Sequence, residues 1–393
     1  MIILGRGQAV SATIAQAQPN VTPPLLFIGH NQGQLVAASS LAFRILDVST
    51  PEKEAAGGVQ VYPVSGTQPI DLINDAYNFD PNTTNGGGYY VAPWTVPSNE
   101  PIGRHEIEWT YALTVPVSST YTSIATEPAP SGIVRQPFDV IAGAAPYGPF
   151  YALISDVRED LGCTPQKVTD RKLIEKIGLA SKMIEAVTGR FFNPRLQFLR
   201  LSGNSARKLF LPIPIIAISS CGIDTQPTQA GDLVVDLDLF RIYNRHLSQG
   251  MVGADDDRNN PKIEFVHSDD LYGVRFIPFR GISLRSLAFP IGVQNIHVRG
   301  AYGFTDPDGS PWGQTPQRIQ HVTKLIVARE LPKIGDRDAR EDAQHRWRVI
   351  SDKAKDIEVD LAPPRAFGPQ AFGDPEIDSI LASYVRPPSM GSA

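Results

Sequence analysis

The spacing of apolar residues changes character twice along this chain of 393 residues. From residue 1 to about 141 it is short and alternating, and no stretch keeps a helical period long enough to compete. Runs at Leu25–Ile28, Ala42–Leu46, Val59–Val64, Tyr89–Val91 and His105–Val115 are separated by Pro, Gly and Asn clusters. In the last of these, Ile107, Trp109, Tyr111 and Leu113 alternate with Glu108, Thr110, Ala112 and Thr114, which makes one strand face apolar. A Pro101-Ile102-Gly103 corner leads into it, and Gln136–Ile141 has the look of a closing strand. Strands at this spacing predict an all-β, immunoglobulin-like sandwich over 1–141.

Ala142–Pro149 is made of small residues with two prolines and reads as a linker, so 142–150 is the expected domain boundary. Beyond it the period becomes helical. Ile154–Leu161 is a short helix signal stopped by Gly162. Thr169 and Asp170 open a longer one, with Leu173, Ile174, Ile177, Ala180, Ile184 and Val187 on one stripe and Gly189 as its stop. Phe191 and Phe192 follow as an anchor.

A second strand-like region covers about 197–298. Lys208–Ile218 is apolar but holds Pro212 and Pro214, which predicts an edge strand or extended arm. Asp232–Tyr243 and Lys262–Val266 are candidates for a hairpin across a long polar connection with Asp255, Asp256 and Asp257 at its tip; Val293–Val298 is a further strand. Two helices are expected next. Thr315 and Pro316 open the first, with Ile319, Val322 and Ile326 on one face. Asp336 opens the second, through Ala343, Trp347, Ile350, Ala354 and Ile357. The picture for 151–360 is a helical bundle with an inserted β region, and the chain as a whole is α+β and multidomain.

Residues 361–393 form an extended tail, too rich in Pro and Gly at first for regular structure, with one short helix at 374–384. Ile377, Ile380, Leu381 and Tyr384 stand at i, i+3, i+4 and i+7. A helix of roughly three turns is not stable alone in water. Its stripe must be buried, either on its own domain or on another chain, and the pattern leaves both open.

Composition adds limits. The 33 glycines and 34 prolines, about one residue in six, favour turns and β structure over long helices. A net charge of −5 is the wrong sign for tight binding to duplex DNA. Cys163 and Cys221 are far apart and lack any metal-ligand spacing, so free thiols are expected. The N-terminus lacks the apolar core of a signal peptide, and no apolar run reaches the ~18 residues of a membrane span. A soluble chain that stays where it is made, until it joins something larger, is the expectation.

Motifs for catalysis are weak. Gly5-Arg6-Gly7 lacks the third glycine of a dinucleotide loop, and His105-Glu106 lacks the second histidine of a zinc protease. Asp306-Pro307-Asp308-Gly309 opens like a calcium loop but lacks its closing glutamate, so a plain turn is expected. For Asp255–Asp257 a solvated charge run is expected. Seven histidines are scattered without ligand spacing. No catalytic, cofactor or metal residue is nominated.

The order of elements in 151–386 resembles the head–tail connector (adaptor) proteins of tailed bacteriophages. The resemblance rests on the helix 170–188 running into Thr188-Gly189-Arg190-Phe191-Phe192, Leu209-Phe210-Leu211-Pro212-Ile213-Pro214 before a strand, and the stretch Phe289–Phe304. The helix introduced by Pro316 and the Gly373-Asp374-Pro375-Glu376-Ile377 tail with Leu381 complete it. It implies a small helical bundle with an inserted β region, without catalytic residues, assembled as a dodecameric ring under the portal protein. It also implies a location in the virion neck after assembly in the host cytoplasm, and a lumen through which genomic DNA passes without specific binding. A downstream neck or tail-completion protein is a further implied partner. The tail helix matches the portal-docking element in position, which nominates Ile377, Ile380, Leu381 and Tyr384 as the contact. The N-terminal β domain departs from the family pattern. The rival expectation is a virion or surface protein whose sandwich recognises carbohydrate or a host receptor; Tyr89, Tyr90, Trp94 and Trp109 would be its sugar platform, although core packing is the expected role of such residues in strands.

Overall fold

The computed structural model describes residues 2–6, 8–10, 25–31, 33–72, 88–114, 131–143, 148–224, 233–247, 256–265, 288–330, 351–354, 357–360, 372 and 374–385. The architecture is α+β. Its first sheet is six-stranded, built from β1 (Ile2–Gly5), β2 (Ala38–Asp47), β3 (Val59–Tyr62), β4 (Gly103–Leu113) and β5 (Ser131–Ile141) in the order β1-β5-β4-β2-β3, with Gln68–Pro69 also on β2. β1 runs parallel to β5, and the β5-β4-β2 pairs are antiparallel. Leu26–Ile28 pairs with Tyr89–Val91, and Ala9–Val10 with Trp94–Thr95, as separate two-stranded ladders. The alternation seen in β4 faces inward as expected: Ile107, Trp109 and Leu113 are buried, and Phe27 lies 5.6 Å from Trp109, ring to ring.

The polar face of β4 is not simply solvated. Glu108 stands in register between Arg44 on β2 and Arg135 on β5 and is buried. Arg44 Nε donates to it at 2.6 Å and Arg135 Nε at 2.8 Å. Burial pushes the Glu108 pKa up, but the two guanidiniums outweigh it and hold the carboxyl below its ordinary value.

The second sheet is also six-stranded: β6 (Arg195–Gly203), β7 (Ile215–Ile223), β8 (Leu233–Val235) and β9 (Gly292–Tyr302) run in the order β6-β9-β7, with β8 on β7. β7 then continues to Gln34–Leu35 and His30–Asn31, so residues from the N-terminal region complete a sheet of the C-terminal one. Ile218 donates its N–H to the Gly33 carbonyl at 2.8 Å, and Gln34 Nε2 to Leu237 O at 2.8 Å. The two prolines of 208–218 divide that stretch. Lys208–Phe210 is an edge strand in a three-stranded sheet with Lys262–Phe265 and Phe240–Ile242. Ile215–Ile223, by contrast, lies inside the second sheet, which corrects the expectation of an edge for its C-terminal half. Phe240–Ile242 against Lys262–Phe265 is the expected hairpin in shortened form.

Five helices are described: α1 (Pro51–Ala55), α2 (Ile154–Leu161), α3 (Asp170–Thr188), α4 (Gln317–Glu330) and α5 (Pro375–Ala382). Gly162 and Gly189 close α2 and α3 in the left-handed conformation, at φ 57° and 64°. The helix expected from Asp336 to Ile357 lies outside the described residues up to Ile350. Its end is corrected: Ser351–Ala354 and Ile357–Asp360 pair as an antiparallel hairpin. The helical spacing of Ala354 and Ile357 was too short a signal to decide between the two states.

Three cores hold the chain together, and two cross from the N-terminal region to the rest. One joins Phe27, Phe43, Trp109 and Phe138 to Leu196, Ile216, Ala217, Ala301 and Trp312 of the second sheet and its loops. Another joins Ile3 and Ile141 to the stripes of α2, α3, α4 and α5. The period of two explains this sharing: on β1, Leu4 enters the first core and Ile3 the second, and on β5 Val140 and Ile141 divide likewise. The third core fills the space between the second sheet and the three-stranded sheet, around Phe240, Phe265 and Phe289.

Candidate functional site

The four nominated tail residues are brought together, on a seat made by the chain's own helices. α5 begins at Asp374, whose side chain accepts the N–H groups of Glu376 (2.6 Å) and Ile377 (3.2 Å), with Pro375 at the first turn where no donor is needed. The helix packs against α3 and α4. Ile377 is 0% and Leu381 1% exposed, in one core with Ile319, Val322, Ile326 and Ile177. Burying those two side chains stabilises the docked helix by roughly 2 kcal/mol each. Ile380 and Tyr384 are partly buried beside them.

Polar contacts fix the seat at both ends. Arg329 at the end of α4 pairs with Asp374, and His321 on α4 lies 3.0 Å from Glu376. Asp378 accepts the Phe372 N–H at 3.0 Å, folding the chain before the helix back over it. At the far end the Tyr384 ring meets Phe192 and Phe304 edge-on, each at 5.4 Å. Phe304 also carries two guanidiniums, Arg258 at 4.5 Å and Arg190 at 4.8 Å. Burial, with Asp306 nearby, raises the Tyr384 hydroxyl pKa. The sequence signalled the cap and the stripe. Nothing in it pointed to Arg329, His321 or Arg258, because each meets its partner only through the fold.

The other candidates are structural. Asp256 pairs with Arg258 at 2.7 Å, and Asp257, buried, takes three donors from Arg245 at 2.9–3.0 Å. The expected solvated run is therefore, at these two positions, a pair of internal clamps; Asp255 lies outside the described residues. Asp306 pairs with Arg258, and Asp308 accepts from the Ser310 N–H at 2.8 Å, so 306–309 is the expected turn. His105 is buried, 2.9 Å from Glu100, with its other ring nitrogen 3.0 Å from the Gly103 carbonyl. Tyr89, Tyr90, Trp94 and Trp109 are at most 3% exposed and offer no sugar platform. Cys163 and Cys221 are free thiols, and burial pushes the Cys221 thiol up to about 12. Among the described residues, no three His, Cys, Asp or Glu side chains stand together as a metal site, and no helix is long and apolar enough to cross a membrane.

The joint between the first and second sheets holds two histidines, His30 partly buried and His246 buried. His30 faces the Pro311 carbonyl through Nε2 and the Gly33 N–H through Nδ1 at 3.4 Å, a pattern that the neutral ring satisfies. Burial pulls its pKa down to about 4. His246 is held lower, at about 3, by burial and then by Arg258, and neither of its ring nitrogens has a hydrogen-bond partner among the described residues.

No family model matches the chain, and no curated protein matches it. Among solved structures, the chain is similar to one described as the neck of an empty GTA particle computed with C6 symmetry. The two are 15% identical over 63% of this chain and 96% of that one, with a TM-score of 0.32, a likeness too slight to bear on function.

Proposed function

We propose that this chain is a structural, non-enzymatic subunit of the neck joining capsid to tail in a tailed phage or phage-like particle. In this role it is a connector (adaptor) subunit of a ring, expected to be dodecameric, that docks on the portal protein and passes to a downstream neck or tail-completion protein. Genomic DNA crosses the lumen without specific binding, which suits the net charge of −5. The N-terminal strands are an immunoglobulin-like addition to this body. One observation carries the proposal: α2, α3, α4 and α5 share a single core although a β region is inserted between α3 and α4. That is the arrangement the resemblance implies for 151–386, assembled from elements in the same order.

Portal docking by Ile377, Ile380, Leu381 and Tyr384 divides into two parts. Ile380 and Tyr384 are reachable with α5 seated, whereas Ile377 and Leu381 become so only if the helix leaves. Native mass spectrometry and negative-stain imaging of the purified chain mixed with portal protein test the proposal. A closed ring on the portal is expected, and a persistent monomer that ignores the portal overturns it. Ile380→Asp, which charges the partly exposed side of α5, should lower portal attachment while the chain stays folded; undiminished attachment would remove the docking role of α5.

A further inference from the structure

The second sheet is covered on one face by the third core and only half covered on the other. On that other face Leu196, Ala217 and Ala301 are buried under the N-terminal strands. Further along the same face Phe198, Arg200 and Val234 are exposed, while Gly222 and His297 between them are buried, His297 against Asp224 at 2.9 Å. Register places Phe198 beside Arg299 and Ser220 in one row, and Arg200 beside His297, Gly222 and Val234 in the next. Phe198 is 39% and Val234 60% exposed. The Phe198 ring lies under two guanidiniums, Arg299 at 4.8 Å and Arg200 at 5.5 Å, and 5.4 Å from the His297 ring. Arg200 is exposed and meets no carboxylate among the described residues. β6 is the nine-residue edge of this sheet, with no strand on its outer side among the described residues. These two rows contain no Lys and no Glu. Aromatic, Arg and aliphatic groups without Lys or Glu are the composition of a protein interface core rather than of a nucleic-acid footprint.

A complementary surface stands on the first sheet of the same chain. Glu52 and Glu54 on α1 are exposed, and neither is paired with a cation among the described residues, because Lys53 between them is held by Asp47 at 2.5 Å. Val59, 48% exposed, is in register with Asp47, and Ile102, 46% exposed, precedes Gly103, whose added Cβ would stand 3.0 Å from Ser49. Acidic and apolar groups thus share one corner.

We propose that the face of one copy that exposes Phe198, Arg200 and Val234 docks on the Glu52–Glu54 corner of a second copy of this chain. The contact rests on the ring reading above and names the subunit boundary for it. The Arg200 guanidinium, exposed and 5.5 Å from the Phe198 ring, is free to bind a carboxylate of the second copy through two parallel N–H groups. When the two surfaces of one copy meet two different neighbours, the contact is head-to-tail and repeats from copy to copy, which is the kind that closes into a ring.

Charge exchange in the full-length chain tests this, read by native mass spectrometry over a concentration series, with circular dichroism to check the fold. R200E is expected to raise the concentration for half-assembly at least tenfold, and E52R/E54R to do the same. The triple variant R200E/E52R/E54R restores assembly because the charges are exchanged rather than lost. If the wild-type chain assembles and R200E assembles equally well, or if the triple variant stays as dispersed as the singles, the boundary lies elsewhere while the ring survives. A wild-type chain that stays monomeric with and without portal protein overturns both.

Discussion

The carboxylate of Asp139, on the last strand of the first sheet, accepts the backbone N–H of Ile154 at 2.5 Å and so caps a helix fifteen residues further along. The neighbouring Ser155 N–H donates to the same oxygen at 3.2 Å. The residue at the cap position of α2 is Leu153, which has no side-chain oxygen to offer. The sheet thus supplies from a distance what the local sequence lacks, and the start of the helical half is fixed to the end of the β half. The second oxygen of Asp139 has no partner among the described residues and the side chain is buried.

That geometry makes stability depend on pH. Burial pushes the Asp139 pKa up to about 6, against the pull of the helix N–H groups. A carboxyl raised in the folded state favours folding most when both states are protonated, below about pH 4, and this contribution is lost as pH rises through about 6. Two units of pKa correspond to about 3 kcal/mol. Asp139→Asn keeps an oxygen for the Ile154 N–H but cannot ionise. Urea unfolding should show the variant gaining on the wild type between pH 4 and pH 7, with no gain below pH 4. A constant offset across that range would mean Asp139 is not buried as an acid.

Glu108 works in the opposite direction. Its pKa is held down by Arg44 and Arg135, so its contribution is full above the ordinary carboxylate range and lost as pH falls through the folded value. Glu108→Gln should cost about 2 kcal/mol at pH 7, below the usual figure for a broken buried pair because both arginines reach solvent. The deficit should shrink toward pH 3. Thermal unfolding at both pH values measures it.

Gly300 on β9 sits where a side chain cannot. An added Cβ would lie 2.2 Å from the Ala217 carbonyl oxygen and 3.0 Å from the Ile218 Cα, both backbone atoms of the adjoining strand. Gly300→Ala must therefore push β7 and β9 apart, at a cost of about 3 kcal/mol or more. Ala301→Gly, one residue on, removes a methyl instead and should cost about 1 kcal/mol. If the two variants unfold at the same urea concentration, the strands are not packed this closely.

Periodicity carried the strands and helices well where both sides of an element had a clear environment. The α3 stripe, the β4 alternation and the glycine stops at 162 and 189 were all readable, because each depends on residues within one or two turns. What was not readable depended on partners far away in sequence. Gln34 and Leu35 carry no mark that they extend a sheet built from residues after 194. The alternation of Ile3 with Leu4 gives two apolar faces, but not that each face belongs to a different core. For the tail, the stripe Ile377, Ile380, Leu381 and Tyr384 required burial, yet choosing between its own body and another chain needed Arg329 and Phe192, whose positions only the fold supplies.

α5 offers the sharpest test of how the tail is held. The helix has eight residues, too few to persist alone, so almost all its order comes from the seat. Ile377→Ala opens a cavity against α4 and should cost about 3 kcal/mol. If α5 is a separable arm, that loss falls on the docking equilibrium alone. Amide hydrogen exchange across 376–382 should then speed up on the order of a hundredfold, with β4 and β9 as protected as before. Asp374→Ala, which removes the cap and the Arg329 partner while leaving Ile377 in place, should act in the same direction by about 1 kcal/mol. Should β4 and β9 lose protection in step with α5, the helix belongs to the cooperative body. The proposed portal contact would then be confined to its outward side, at Ile380 and Tyr384.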